Sequence, residues 1–236
     1  MRVYGLVLVV LIMMLFPSHA WSMGERPSGS GWCPKTGLYL KMGDTRLYIP
    51  PELTKNSSVR DNRAVPKNLK CYKKGDAPIE TTSLWFFPSA YFTHYNPQKP
   101  LDRQGHSLLV KAYSSELERE DVFVRENFHK LNLQEIPMDR GFYVYHSSSD
   151  RPWLRFYISD PKVLATPRGN PVVFSCEDNT YHGLCSTSLV IKNLGFVLTQ
   201  IKPRYLPVED WPLLYKSFTS LVDSLVIQDE AEIIIP

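Results

Sequence analysis

The stretch "PVVFSCEDNTYHGLCSTSLVIKNLGFVLTQIK", Pro171–Lys202, decides the fold. It holds three apolar segments of strand length, "PVVFSC", "STSLVIK" and "GFVLTQIK", rich in the β-branched and aromatic residues that suit a pleated surface. The second and third meet through a turn read at Asn193-Leu194-Gly195, and the first and second flank the loop "CEDNTYHGLC", Cys176 to Cys185. Links this short favour neighbouring antiparallel strands, because a parallel pair needs a crossover of about a dozen residues or more. The loop itself admits three readings. Cys176 and Cys185 could ligate a metal with Asp178 and His182, form a redox pair, or close a disulfide. The spacing is not Cys-x-x-Cys, which weakens the redox reading. The choice between metal and disulfide depends on the compartment.

The first residues bear on that. "MRVYGLVLVVLIMMLFPSHA" begins with a basic Arg2, continues with an apolar run from Val3 to Phe16, and ends in Pro17 and Ser18-His19-Ala20. This is the layout of a cleavable signal peptide, residues 1–20, with cleavage after Ala20. The competing reading is a membrane anchor, but the run falls short of the roughly 20 residues a spanning helix needs. No second apolar run reaches that length, so no stable membrane span is expected after signal removal. Residues 21–32, which include "SMGERPSGSG", read as a flexible lead-in to a single domain over 33–236. The expected location is periplasmic or secreted.

An exported chain with four cysteines, Cys33, Cys71, Cys176 and Cys185, is expected to oxidise them. Proximity in sequence favours Cys33–Cys71 with Cys176–Cys185. The second bridge would clamp the mouth of a hairpin, stabilising it by about 2.5–3 kcal/mol in the chain-entropy model. Asp178, Asn179, Tyr181 and His182 would then sit on a stiff tip, and no metal is called for.

Outward from this centre, "GFYVYH" and "WLRFYIS" read as strands joined by the polar turn "SSSDRP". "GLYLKMGDTRLYIP" reads as a hairpin turning at Gly43-Asp44. Residues 52 to 82 are largely polar and read as a long surface excursion tied down at Cys71. "SLWFFP" and "SLLVKAY" are two more strands. A helix is expected next, over "SELEREDVFVRENFHKL". Ser115 and Glu118 form its capping box, and Leu117, Val124, Phe128 and Leu131 give its apolar spacing. The last element is a second amphipathic helix in "EDWPLLYKSFTSLVDSLVI". Its buried face is Trp211, Leu214, Tyr215, Phe218, Leu221, Val222 and Leu225, with Asp210 as N-cap. The tail "QDEAEIIIP" suits a small edge strand. The fold class is therefore α+β: an antiparallel sheet with two amphipathic helices grouped on one face, stabilised by disulfides, its other face free to meet water.

Catalytic motifs are missing from this pattern. There is no Gly-x-Ser-x-Gly elbow, no Gly-rich phosphate loop and no His pair at helical zinc spacing. No cofactor is implied. Of the 27 basic side chains, removal of the signal takes Arg2, leaving 26 against 24 acidic ones; this balance argues against a nucleic-acid partner. Two features suit a protein partner instead. The run "LWFFPSAYFTHYNP" gathers Trp85, Tyr91, Phe92 and Tyr95, residue types favoured at binding surfaces, although they could equally pack beneath a loop. Glu116 and Glu120 share a face in the first turns of the mid-chain helix, where they either meet solvent or offer a patch to a basic partner.

In layout, with export, disulfides, one compact α+β domain and no catalytic motif, the chain resembles the periplasmic immunity proteins that neutralise secreted toxins, including those of type VI secretion systems. The resemblance spans the mature chain and carries no motif, so it transfers no residue roles. It implies an inhibitor whose partner is a protein, a toxin; the chemistry of the residues themselves, not the resemblance, makes Trp85, Tyr91, Phe92, Tyr95, Glu116, Glu120, Asp178, Tyr181 and His182 the candidate contacts. An envelope-assembly or structural protein and an exported hydrolase with an unrecognised site are the alternatives.

Overall fold

The computed structural model describes residues 33, 35–54, 57–60, 71–88, 108–114, 133–139, 141–147, 153–177 and 183–227. Within them the chain is α+β, with two sheets, two α-helices and two disulfides. The signal-like start, the mid-chain helix expected from Ser115 and the tail after Ile227 lie outside these residues.

The central segment folds as its pattern demands. β10 (Val173–Glu177), β11 (Leu184–Ile191) and β12 (Leu194–Ile201) are consecutive antiparallel neighbours. β6 (Leu109–Ser114), β5 (Ser83–Phe86) and β3 (Ser58–Arg60) extend the sheet beyond β12. On the other side β9 (Leu154–Ser159), β8 (Phe142–Ser147) and β7 (Leu133–Asp139) follow as a meander. This nine-stranded sheet is antiparallel throughout, in the order β3-β5-β6-β12-β11-β10-β9-β8-β7.

The turn between β11 and β12 lies one step earlier than its sequence suggests. Ile191 pairs with Leu194, so Lys192 and Asn193 make the turn, with Lys192 at φ +53°. Gly195 belongs to the strand. A Cβ there would stand 2.7 Å from the Tyr113 ring, and Tyr113 is its register partner on β6. The glycine thus lets an aromatic side chain lie across the strand. At the far end of the same pair, Cys185 faces Ile201 and Thr187 faces Leu198, so Thr199 and Gln200 oppose Ser186 alone. This is a β-bulge, and Gln200 takes φ +65° within it.

β7 had no sequence signal because Pro137 interrupts it. It is tolerated because β7 is an edge strand, where a missing N–H breaks no inner ladder, and the register slips between Ile136 and Asp139 around it.

A second sheet has three strands in the order β2-β1-β4. β1 (Leu38–Met42) and β2 (Thr45–Ile49) form the expected hairpin, with Gly43 at φ +59° in the first turn position. β4 (Ile79–Glu80) pairs with β1 in parallel, so the sheets are not uniformly antiparallel. The described part of residues 52–82, read from sequence as a polar surface excursion, carries regular structure and buried side chains. It supplies a helical turn at Pro51–Thr54, β3 and β4, and it buries Leu53, Thr54, Ser57, Val59 and Tyr72. Short local bonds make this possible for polar residues. The Thr54 hydroxyl donates to Pro51 O at 2.8 Å and accepts from the Cys33 N–H at 2.9 Å; the Ser57 hydroxyl donates to Thr54 O at 2.9 Å.

The C-terminal helix, Trp211–Leu225, packs against both sheets. Its seven predicted apolar residues are all buried. Trp211 is fully enclosed, stacked on Phe174 at 4.5 Å, edge-on to Phe142 and Tyr157, and donating its indole N–H to Leu206 O at 2.9 Å. Asp210 holds the N-cap position but makes no capping side-chain bond. The helix is entered from a 3-10 turn, Val208–Asp210, so Asp210 already has helical dihedrals, and Pro212 removes one donor a cap would serve. Beyond the helix, Val226 bridges Leu47 and the Ile227 N–H donates to Arg46 O at 3.0 Å. One continuous core results, with Leu38, Leu40, Met42, Leu47 and Ile49 of the small sheet joining Phe86, Val110, Phe174, Phe196 and Leu198 of the large one.

Candidate functional site

The loop from Cys176 to Cys185 can be built from its strands. The two cysteines are direct register partners, with Cα atoms 4.0 Å apart, and they are joined in a disulfide. Cross-strand partners at a widely spaced ladder position approach to about 4.5 Å, so the pairing itself delivers the two sulfurs to each other. Glu177 and Leu184 make the last pair before the loop. The cysteines are nearly buried, on the core face shared with Phe174. Thr187, fully buried on that face, donates its hydroxyl to Val173 O at 2.8 Å, tying the hairpin one step further in. Leu184 is exposed at the loop's edge. Asp178, Tyr181 and His182 lie outside the described residues, as do Tyr91, Phe92, Tyr95, Glu116 and Glu120.

Trp85 is described. Along β5 the alternation is plain: Leu84 and Phe86 are fully buried in the core, and Trp85 is half-buried on the opposite face. Lys111, its register partner on β6, lies with its ammonium 5.1 Å from the centre of the Trp85 ring. Trp85 is therefore packed by a cation on its own sheet. On the outer face of the sheet a small apolar cluster forms at β8–β10. Phe156 and Val173 are buried on it, with Tyr145, Leu154 and Ile158 packed around them, whereas Tyr143 and Trp153 remain exposed.

The other disulfide joins Cys33 to Cys71 beside the small sheet. Tyr72 follows it directly, meeting Tyr39 edge-on at 5.3 Å and Tyr48 at 6.3 Å. Burial, and secondarily the charges of Glu52 and Tyr72, raise the pKa of Tyr48 above its ordinary value of 10.0. Its hydroxyl stays protonated and donates to Thr36 O at 3.2 Å. Among the described residues no three of His, Cys, Asp and Glu are placed to hold a metal ion, and no helix is long and apolar enough to cross a membrane.

One site was missed from sequence. A cleft of about 350 Å³ opens between the β1–β2 hairpin and the β11–β12 turn, lined by Lys41, Asp44, Thr45, Arg46, Lys192 and Ile227. Lys41 pairs with Glu80 at 3.0 Å. Lys192 donates its ammonium to Ile227 O at 3.3 Å, and the exposed Arg168 donates to Lys192 O at 3.4 Å. Its basic residues come from segments some 150 positions apart, so no local spacing could signal it.

No protein-family model matches the chain, and no curated protein matches it. A solved structure similar to it is the Neisseria meningitidis iron-regulated outer membrane lipoprotein FrpD, at 11% identity over 83% of this chain and 94% of that one. The TM-score is 0.47, and at that level the likeness carries no argument.

Proposed function

We propose that this is an exported binding protein, periplasmic or secreted, that acts by contact with a protein partner, and that the partner is a toxin which it neutralises. The observation that carries the binding reading is the hairpin clamped by Cys176–Cys185. The disulfide joins register partners at the open end of the β10–β11 hairpin, so the two ends of the segment between them stand at a fixed separation, and a segment anchored at both ends has less entropy to lose on binding. Export is supported by the signal-like start and by two bridges that use all four cysteines. The toxin reading rests on overall layout and goes beyond these features. Affinity capture from the native periplasm tests it, together with survival of a deletion strain beside toxin-secreting neighbours. Recovery of a secreted toxin, and sensitivity on deletion, are expected. Recovery of envelope-assembly components alone would replace the reading with a structural role, and turnover of a general ester or peptide substrate would replace it with a hydrolase.

A further inference from the structure

The connection from β6 to β7 has an unusual route to cover. β6 ends at Ser114 and β7 begins at Leu133, and the two strands run parallel with β12, β11, β10, β9 and β8 between them. Ser114 stands opposite Leu194, beside the β11–β12 turn. Leu133 stands opposite Ser147, at the end of the sheet that carries the Cys176–Cys185 bridge. Six strand spacings of about 4.8 Å, taken across the length of the strands, make a diagonal of roughly 40 Å. Residues 115–132 reach about 60 Å fully extended and about 27 Å as a helix. That suffices to cross one face of the sheet diagonally and leaves little for a detour around its edges.

Which face it crosses follows from the ladder and from chirality. The Ser159 N–H donates to Val172 O at 2.9 Å, so on the β9 side the hydrogen-bonded pairs are Phe174 with Tyr157 and Cys176 with Arg155. Cys176 and Cys185, with Cα atoms 4.0 Å apart, are the close, non-hydrogen-bonded kind of pair, in agreement. The core-facing residues of β10 thus turn their N–H and C=O toward β9. For an L-residue whose side chain faces the viewer on an upward strand, those groups point to the right. Seen from the core face with β6 and β7 upward, β7 therefore lies to the left of β6. Connections between parallel strands of one sheet are almost always right-handed, and a right-handed connection that steps leftward passes behind the sheet. Behind is the outer face. Phe156 and Val173 are buried on that face, 3% and 5% exposed, with Tyr145, Leu154 and Ile158 around them. The described helices do not cover them, because Leu53 of the short one and Trp211, Leu214, Phe218 and Leu221 of the long one lie in the core on the opposite face.

We propose that residues 115–132 cross the outer face of the large sheet and cover Phe156 and Val173 with the apolar side chains of Leu117, Val124, Phe128 and Leu131. The sheet is then enclosed from both sides, by this segment and by the C-terminal helix, rather than lying under two helices grouped on one face. The inference concerns the route of the chain and not the toxin reading, so either can fail without the other.

The test uses the purified, oxidised full chain with a benzophenone amino acid in place of Phe128 and, in a second variant, in place of Val124. Each is irradiated in dilute solution, and the adducts are located to the residue by mass spectrometry. Adducts within one chain are expected on Tyr145, Phe156, Ile158 or Val173, with none on Tyr157, Phe174 or the helix Trp211–Leu225. Adducts on those core-face residues would put the segment on the other side and overturn the proposal. So would adducts joining two chains, which would make a second copy the cover, or no adduct to the sheet from either position. Phe156→Ala in the unlabelled chain gives an independent reading. It should speed amide exchange in residues 115–132 several-fold relative to β1 and β2, and unchanged relative exchange there also overturns the proposal.

Discussion

The nine-stranded and three-stranded sheets share the C-terminal helix but hold their strands by different means. In the large sheet every neighbouring pair is antiparallel, most pairs run four residues or more, and the Cys176–Cys185 bridge joins positions the ladder already sets opposite each other. In the small sheet only the β1–β2 hairpin is fully registered; β4 contributes two pairs, and the Cys33–Cys71 bridge spans 38 positions between segments with no strand pairing at the cysteines. A cross-link restricts the unfolded chain more the longer the loop it closes. It also adds most where nothing else brings its ends together. The two bridges should therefore differ in worth, and the large sheet should tolerate losing its own.

The largest effect should come from the element both sheets lean on. Trp211→Ala removes the ring stacked on Phe174 and leaves Leu206 O without its donor, at a cost of about 3–5 kcal/mol in chemical denaturation. A loss below about 1 kcal/mol would mean that the helix is not the shared support. Next, Cys33→Ser with Cys71→Ser should cost close to 4 kcal/mol by chain entropy, with amide protection falling first in β1, β2 and β4. Uniform loss of protection across both sheets would break the contrast drawn above. Cys176→Ser with Cys185→Ser should cost less, at most about 2.5–3 kcal/mol, with protection retained in β11 and β12. Two substitutions refine the picture inside the large sheet. Gly195→Ala pushes a methyl toward the Tyr113 ring, and since that side chain can shift, the unfolding free energy from chemical denaturation should fall by only about 1 kcal/mol. Gln200→Gly relieves a left-handed residue in the bulge and should raise stability by about 0.5 kcal/mol, the strain released exceeding the entropy a glycine loses.

Legibility in the sequence followed the same division. The β10–β12 meander, the Gly43 hairpin and the amphipathic face from Trp211 to Leu225 were readable because each is a local periodic pattern bounded by turn residues. β7 was hidden by Pro137, which argues against a strand everywhere except at an edge, and edge status is a tertiary fact. β4 was hidden because two residues in a polar segment carry no period, and its parallel partner lies about 40 positions away. Gly195 looked like a turn residue because the Tyr113 ring that needs the space sits on a strand far earlier in the chain. Of the candidate binding residues only Trp85 falls among the described residues, as do the four cysteines expected to form disulfides. The cysteines pair as their proximity suggested, and Trp85 meets a lysine of its own sheet. The cleft beside the β1–β2 hairpin had no local signature at all.

The bridge between Leu47 and Val226 has a consequence for timing. Its partners are 226 − 47 = 179 positions apart, and the cleft is closed by Ile227, the next residue. A chain that emerges from its N-terminus first, whether from a ribosome or through a membrane pore, makes the β1–β2 hairpin early but cannot seal that hairpin's edge until Val226 has emerged. Contacts of such long separation are slow to form. Of the two described sheets the small one is therefore finished last, and closure of the cleft reports that the strands and helix preceding Val226 have emerged.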